Sequence, residues 1–261
     1  MCTVVILRRP GHSWPVIIAA NRDEMLARAW EAPARHWPDR VDVIAGRDTL
    51  AGGSWLGIND HGLAAAILNR PGSLGPADDK RSRGELVLDA LDHAEAGDAA
   101  AALAEIDPAA YRTFNLLIAD PLAAFWVRHD GERPPAAIPV PDGLSMITAH
   151  DLNDPTCPRI GRHRPRFAAA PAPDLDNRDI FAWEALLADT AATGSGEGPE
   201  SAMRIETDWG FGTVNASIIG LPAPETGAGP RFLFADGPPG ERPFEPVSTA
   251  PGQSPAPSPT D

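Results

Sequence analysis

Residues 2–24, CTVVILRRPGHSWPVIIAANRDE, constrain this chain most. Two β-branched, apolar runs flank a break that contains Pro10 and Gly11. That pattern predicts a β-hairpin. With the turn centred near His12, antiparallel partners sum to about 24, which sets Cys2 opposite Arg22. A second hairpin is expected from strands near Trp55–Ile58 and Leu63–Leu68, joined by the turn-forming NDHG.

The remaining pattern alternates strand runs with a helical block. Ser82 followed by Glu85 in SRGE reads as a capping box opening a helix, and Ala99–Ile106 reads as a short second one. FNLLIAD, AAFWVRHDG and LSMITAH read as strands. Arg162–Ala170 and Asp179–Ala188 read as helices, and TVNASIIG and RFLFAD as late strands. TGSGEGPES reads as a flexible surface loop. Strands in runs around helices predict an α+β fold rather than a doubly wound sheet. One domain is expected over residues 1–247, with a Pro/Ser-rich disordered tail over 248–261.

Charge narrows the function. Across 261 residues the formal net charge is −14, which opposes binding to a phosphate backbone and docking on anionic lipid. Positive residues cluster locally in RIGRHRPRF, Arg159–Phe167. No run approaches the roughly 18 apolar residues of a membrane span, and no signal-peptide pattern opens the chain; a cytoplasmic location is expected. The two cysteines, Cys2 and Cys157, form no disulfide framework and no Cys/His metal spacing. Dinucleotide and P-loop signatures are absent, as is a GxSxG elbow.

Chemistry centres on Cys2. Initiator methionine is normally removed ahead of a small residue, which would make Cys2 a residue carrying both a thiol and an α-amine. Their ordinary pKa values lie near 8.5 and 8, so one residue supplies nucleophile and base. Arg22 would favour a thiolate, and Asp23 or Glu24 could orient the amine. The alternative is a buried strand cysteine beside a polar strand end, and spacing alone leaves both open.

MCTVVI, ANRDE, AGGSWLGI, AAILNR, RGELV and FNLLIAD, in this order over the first 120 or so residues, resemble the NRDE family, also called the transport and Golgi organisation protein 2 family. That family is similar to the N-terminal-nucleophile cysteine hydrolases of choloylglycine type. The resemblance implies an αββα sandwich of two mainly antiparallel sheets between helical layers. It implies Cys2 as nucleophile, Arg22 as the guanidinium beside the thiol, Asp23 as the carboxylate at the new amine, and Asn69 as an oxyanion donor. The Arg-to-Asp spacing is tighter than in the choloylglycine hydrolases, so Glu24 competes with Asp23. Gly52, Gly53 and Trp55 match a GGTWLG-like motif, with Trp55 expected to line the pocket. The chain departs from the family at LSMITAHDLNDP, where an SNA-like asparagine is usual. Thr148 and His150 stand there instead and are expected to bind substrate.

The resemblance implies an amidohydrolase or acyl-transfer enzyme for a small amide or acyl substrate, with no cofactor required. Its rival is a haem-handling or lipid-like carrier that reuses the pocket without turnover. Cys157-Pro158, with His150 and His163 nearby in sequence, motivates that rival; the alternative for Cys157-Pro158 is a free thiol at a helix start followed by an N1 proline.

Overall fold

In a computed structural model, residues 2–75, 77–191, 198 and 201–250 are described. The tail expected over 248–261 lies outside the described residues from 251 onward, as does most of the expected loop TGSGEGPES. In chain order the strands begin β1 (Thr3–Arg8), β2 (Val16–Met25), β3 (Trp30–Ala34), β4 (Val43–Asp48), β5 (Leu56–Asn59) and β6 (Ala64–Asn69). Helices α1 (Gly84–Leu91) and α2 (Ala96–Ala104) follow. Then come β7 (Phe114–Ala119), β8 (Ala124–His129), β9 (Ala136–Pro139) and β10 (Gly143–Ile147). Helices α3 (Pro158–Ala169) and α4 (Phe181–Leu187) precede β11 (Phe211–Leu221), β12 (Arg231–Ala235) and β13 (Phe244–Pro246).

Two antiparallel sheets result, ordered β10-β1-β2-β11-β12-β13 and β3-β4-β5-β6-β7-β8-β9. Strand alternation sorts the side chains into three cores. Val4, Ile6, Val16 and Ile18 of the first sheet meet Ile44, Leu56, Ile58 and Leu117 of the second between the sheets. Val5, Ile17 and Ala19 turn the other way, onto Ile160 and Phe167 of α3 and Trp183 of α4. Val43, Ala65, Leu116 and Ile118 pack beneath Leu86 and Val87 of α1 and Leu103 of α2. The layers are helix, sheet, sheet, helix, which is the α+β sandwich expected.

The β1–β2 register pairs Thr3 with Asn21 and Val4 with Ala20, the sum read from the turn. The second hairpin also forms, with Leu56 opposite Ala66. Four strands escape the sequence reading: β3, β4, β9 and β13. Three of them are sheet edges, and each of those three carries a proline. Short, proline-bearing edges are how sheets limit further pairing, and they blur the alternation that marks a strand. The capping box at SRGE does not form. Ser82 Oγ accepts from Gly84 N at 3.2 Å, but Glu85 is drawn to Arg81, 2.6 Å away, and α1 begins at Gly84.

Candidate active site

The hairpin carries the site, and strand parity divides its residues. One step beyond the Thr3–Asn21 pair, Cys2 stands against Arg22. Even-numbered positions here face the space between the sheets, so Cys2 packs on the inter-sheet core. Arg22 lays its guanidinium over the Trp55 ring, 4.1 Å from the centroid. Odd-numbered positions face the helices. Asn21 Nδ2 donates to the Leu187 and Met203 carbonyls at 2.9 and 3.0 Å. Asp23 is fully buried on that side, ion-paired to Arg159 of α3 at 3.1 Å and accepting from Thr213 Oγ1 at 2.6 Å. Adjacent residues of the NRDE stretch therefore serve different layers.

Cys2 is half-buried, and its Sγ donates to the Asp23 carbonyl at 3.7 Å. It opens onto a cavity of about 250 Å³ that Arg22, Trp55 and Asn69 also line. Asn69, at the end of β6, lines that space and has no side-chain hydrogen bond among the described residues. Burial raises the Cys2 thiol above the ordinary range; the Asp23 charge adds to this and Arg22 works against it. A thiol so placed needs a base. Asp48 anchors the other end of Arg22, accepting from its Nη2 at 3.3 Å and from Arg28 Nε at 2.6 Å. Burial pushes the Asp48 carboxyl up, but Arg28 and the Ala51 N–H outweigh it and hold the group below the usual range.

Three further features complete the site. Between Thr213 and Asn215 the β2–β11 register slips by one residue opposite Asp23 and Arg22. This bulge aims Thr213 at Asp23 and leaves Asn215 beside Arg22, bulges being devices that re-aim side chains. Asn215 is 1% exposed and shares a small void with Cys2, Arg22 and Trp55. Asn215 Nδ2 and Arg22 Nη1 are buried donors with no partner among the described residues. Glycines make room around them. A Cβ on Gly46 would meet the Trp55 ring at 2.3 Å, and one on Gly53 would meet the Gly84 backbone at 2.5 Å. That close approach lets Ser54 N donate to Gly84 O at 3.0 Å and seats the start of α1 on the cavity wall.

The structure thus gathers Cys2, Arg22, Asp23, Asn69 and Trp55 around one cavity. Glu24 also lines it, with Oε1 turned back to Met25 N at 2.9 Å. Thr148 and His150 do not line it. Asn115 of β7 explains their position. Its Nδ2 donates across the sandwich to the Thr148 and His150 carbonyls at 2.9 and 2.8 Å. The Thr148 hydroxyl is occupied with Cys157 Sγ at 3.4 Å and His150 N at 3.2 Å.

Of the residues that motivated the haem rival, Cys157 and His163 are buried and do not line this cavity. Cys157 is buried as the N-cap of α3, ahead of Pro158. His163 is fully buried, with Nε2 on the Ser201 carbonyl at 3.0 Å and Nδ1 accepting from Arg166 at 3.1 Å. Arg159 and Asn215 were not singled out as site residues. RIGRHRPRF is a visible basic cluster, yet nothing in it marks which arginine turns inward.

A sequence model described as Transport and Golgi organisation 2 matches residues 1–192. The Transport and Golgi organization protein 2 homolog of Bos taurus is 35% identical over 121 residues, 42% of this chain and 40% of the relative. That of Homo sapiens is 33% identical over 114 residues, again 42% and 40%. The matches therefore span about two fifths of those relatives' length. Among solved structures, penicillin V acylase from Agrobacterium tumefaciens superposes with a TM-score of 0.56 at 14% identity, over 90% of this chain and 83% of that one. The C2A mutant of conjugated bile acid hydrolase from Clostridium perfringens gives 0.53 at 12%, over 90% and 89%. The Caenorhabditis elegans ortholog of N-acylethanolamine-hydrolyzing acid amidase gives 0.52 at 13%, over 83% and 92%. At such identities the likeness establishes the fold, an N-terminal-nucleophile-hydrolase-like sandwich. With the family model covering well over half of its residues, the chain belongs to the Transport and Golgi organisation 2 family.

Proposed function

We propose that this protein is a cysteine amidohydrolase or acyl-transfer enzyme of the N-terminal-nucleophile type, acting on a small amide or acyl substrate. The observation that carries the reading is the half-buried Cys2 thiol at the head of β1. It opens on a cavity beside two buried N–H donors with no partner among the described residues, Arg22 Nη1 and Asn215 Nδ2. Preorganised donors next to a nucleophile are what an acyl-transfer transition state needs. The three solved structures carry acylase, acid amidase and hydrolase titles, which fits the same reading.

Once Met1 is removed, the α-amine of Cys2 takes the thiol proton as sulfur attacks the substrate carbonyl. Arg22, Asn215 and Asn69 are within the same site to receive the oxyanion. Collapse breaks the C–N bond, and the leaving amine takes the proton back from the α-ammonium. Water then adds to the thioester, with the α-amine as its base, and frees the acid and the thiol. Arg159 and Thr213 hold Asp23 beside the start of β1 without touching substrate.

Intact mass and thiol labelling test this reading. The soluble protein is expected to lack Met1, and substoichiometric iodoacetamide near pH 7 to label Cys2 and spare the buried Cys157. An extra residue inserted ahead of Cys2, which removes its free amine, should slow that labelling at least tenfold. Retention of Met1 on the whole population, or labelling indifferent to the insertion, overturns the mechanism.

A further inference from the structure

The cavity's charge runs against that of the chain. Among the described residues its lining includes six cationic residues, Arg22, Arg28, Lys80, Arg81, Arg83 and Arg112, against three acidic ones, while the chain as a whole is at −14. The three carboxylates are already engaged. Asp23 faces Arg159 and Thr213, Asp48 bridges Arg22 and Arg28, and Glu24 bonds its own strand end.

The wall formed by the turn into α1 is different. Among the described residues Arg83 donates to neutral acceptors, Ser73 Oγ at 2.8 Å, the Thr113 carbonyl at 3.1 Å and the Gly75 carbonyl at 3.4 Å. Arg112 reaches the same turn through the Gly72 and Leu74 carbonyls at 2.6 and 2.8 Å. Lys80 joins them, its Nζ on the Ala109 carbonyl at 2.8 Å and its one close carboxylate, Asp79, largely exposed. Burial and the nearby Arg112 charge lower the Arg83 guanidinium to about 10, still cationic at neutral pH. Arg22 adds an unpartnered buried Nη1 to the cavity. Clustered, partly desolvated cations repel one another unless an anion joins them.

We propose that the cavity recognises its substrate by an anionic oxygen group, a carboxylate or phosphate, set against Arg83, Lys80 and Arg112 while the carbonyl to be attacked lies at Cys2. The proposal rests on the reading of Cys2 as the reacting end of the cavity. It assigns Arg83, otherwise a helix-start residue, to substrate selection. A volume of about 250 Å³ suits a short acyl chain joined through an amide to a small charged group.

Calorimetry on the full-length Cys2→Ala protein, which binds without turnover, tests it with three ligands that share the butanoyl amide and differ in the group beyond it. These are N-butanoylglycine, N-butanoylglycinamide and N-butanoyl-O-phosphoethanolamine. An anionic ligand is expected to bind at least roughly tenfold tighter than the neutral amide, and the tighter of the two anions identifies the group. Arg83→Gln should cut that preference severalfold, with far-UV circular dichroism confirming the fold. Lys80→Gln, at a more exposed site, provides a second reading if Arg83→Gln unfolds. Raising the salt should shrink the preference in the parent protein. Equal binding of acid and amide, binding by none of the three, or a preference untouched by both variants overturns the proposal. Charge selectivity without hydrolysis by the wild type overturns the enzymatic reading instead; hydrolysis without charge selectivity overturns this one.

Discussion

Cys2, Arg22 and Asn215 meet at the inner face of the first sheet, and their burial sets what each can do. In the proposed mechanism a thiol raised by desolvation takes its base from its own residue. There the buried, unpartnered donors of Arg22 and Asn215 are satisfied by the transient oxyanion, since an unmet buried polar group is costly. Asn215→Ala should therefore slow acylation of Cys2 by p-nitrophenyl butyrate by about 10²–10³. Alkylation by iodoacetamide, which builds no oxyanion, should change by less than about threefold in the same protein. Parallel rate measurements check the split, and equal losses in both would assign Asn215 to packing. Half of this constellation was legible beforehand. Cys2 and Arg22 are joined by one short turn, so counting along the chain pairs them. Asn215 arrives from a strand more than 190 residues away through a bulge, and no local pattern announces that.

Helix α3 and strand β11 act on the site through Asp23. Arg159 Nη1 donates to Asp23 at 3.1 Å and to Thr3 Oγ1 at 2.7 Å, tying the helix to both strands of the first hairpin. With 1% and 0% side-chain exposure, this pair is a buried one, whose disruption costs far more than that of a surface pair. Arg159→Met should destabilise the protein by about 3–5 kcal/mol, because it removes the buried cation paired with Asp23. Urea denaturation checks the loss. Asp23→Asn added to Arg159→Met should recover part of it, as the buried carboxylate is then neutral. On the opposite side, Asn115 ties β7 to the segment after β10 through two backbone carbonyls. That staple explains why the residues standing where the family has its SNA-like asparagine sit outside the cavity lining.

Acid sensitivity belongs to the whole molecule. His163 sits under the first sheet with both ring nitrogens used, Nε2 donating to Ser201 O and Nδ1 accepting from Arg166. Only the neutral ring fits that pattern, and burial above all lowers its pKa from 6.5 to about 4. The unfolded chain binds this proton below about pH 6.5 while the folded chain refuses it until about pH 4. Stability from this group is thus complete above pH 6.5, falls as pH drops through that window by about 3 kcal/mol in total, and levels off below it. His163→Gln should flatten the decline in urea midpoint between pH 7 and pH 5.

At this scale the division between sequence and tertiary structure is plain. Strand alternation, turn chemistry and the summed register are local properties, and they determined the two hairpins, the α+β class and the pairing of Cys2 with Arg22. The proline-bearing edge strands lay outside that reach because their pattern is too short to carry a period. Which face each NRDE residue serves, that Arg159 answers Asp23, that Asn215 stands beside the thiol, and that cations of an acidic protein converge on one cavity were decided by packing. Such contacts depend on how the sheets and helices stack, and side chains far apart along the chain meet only once that stacking exists.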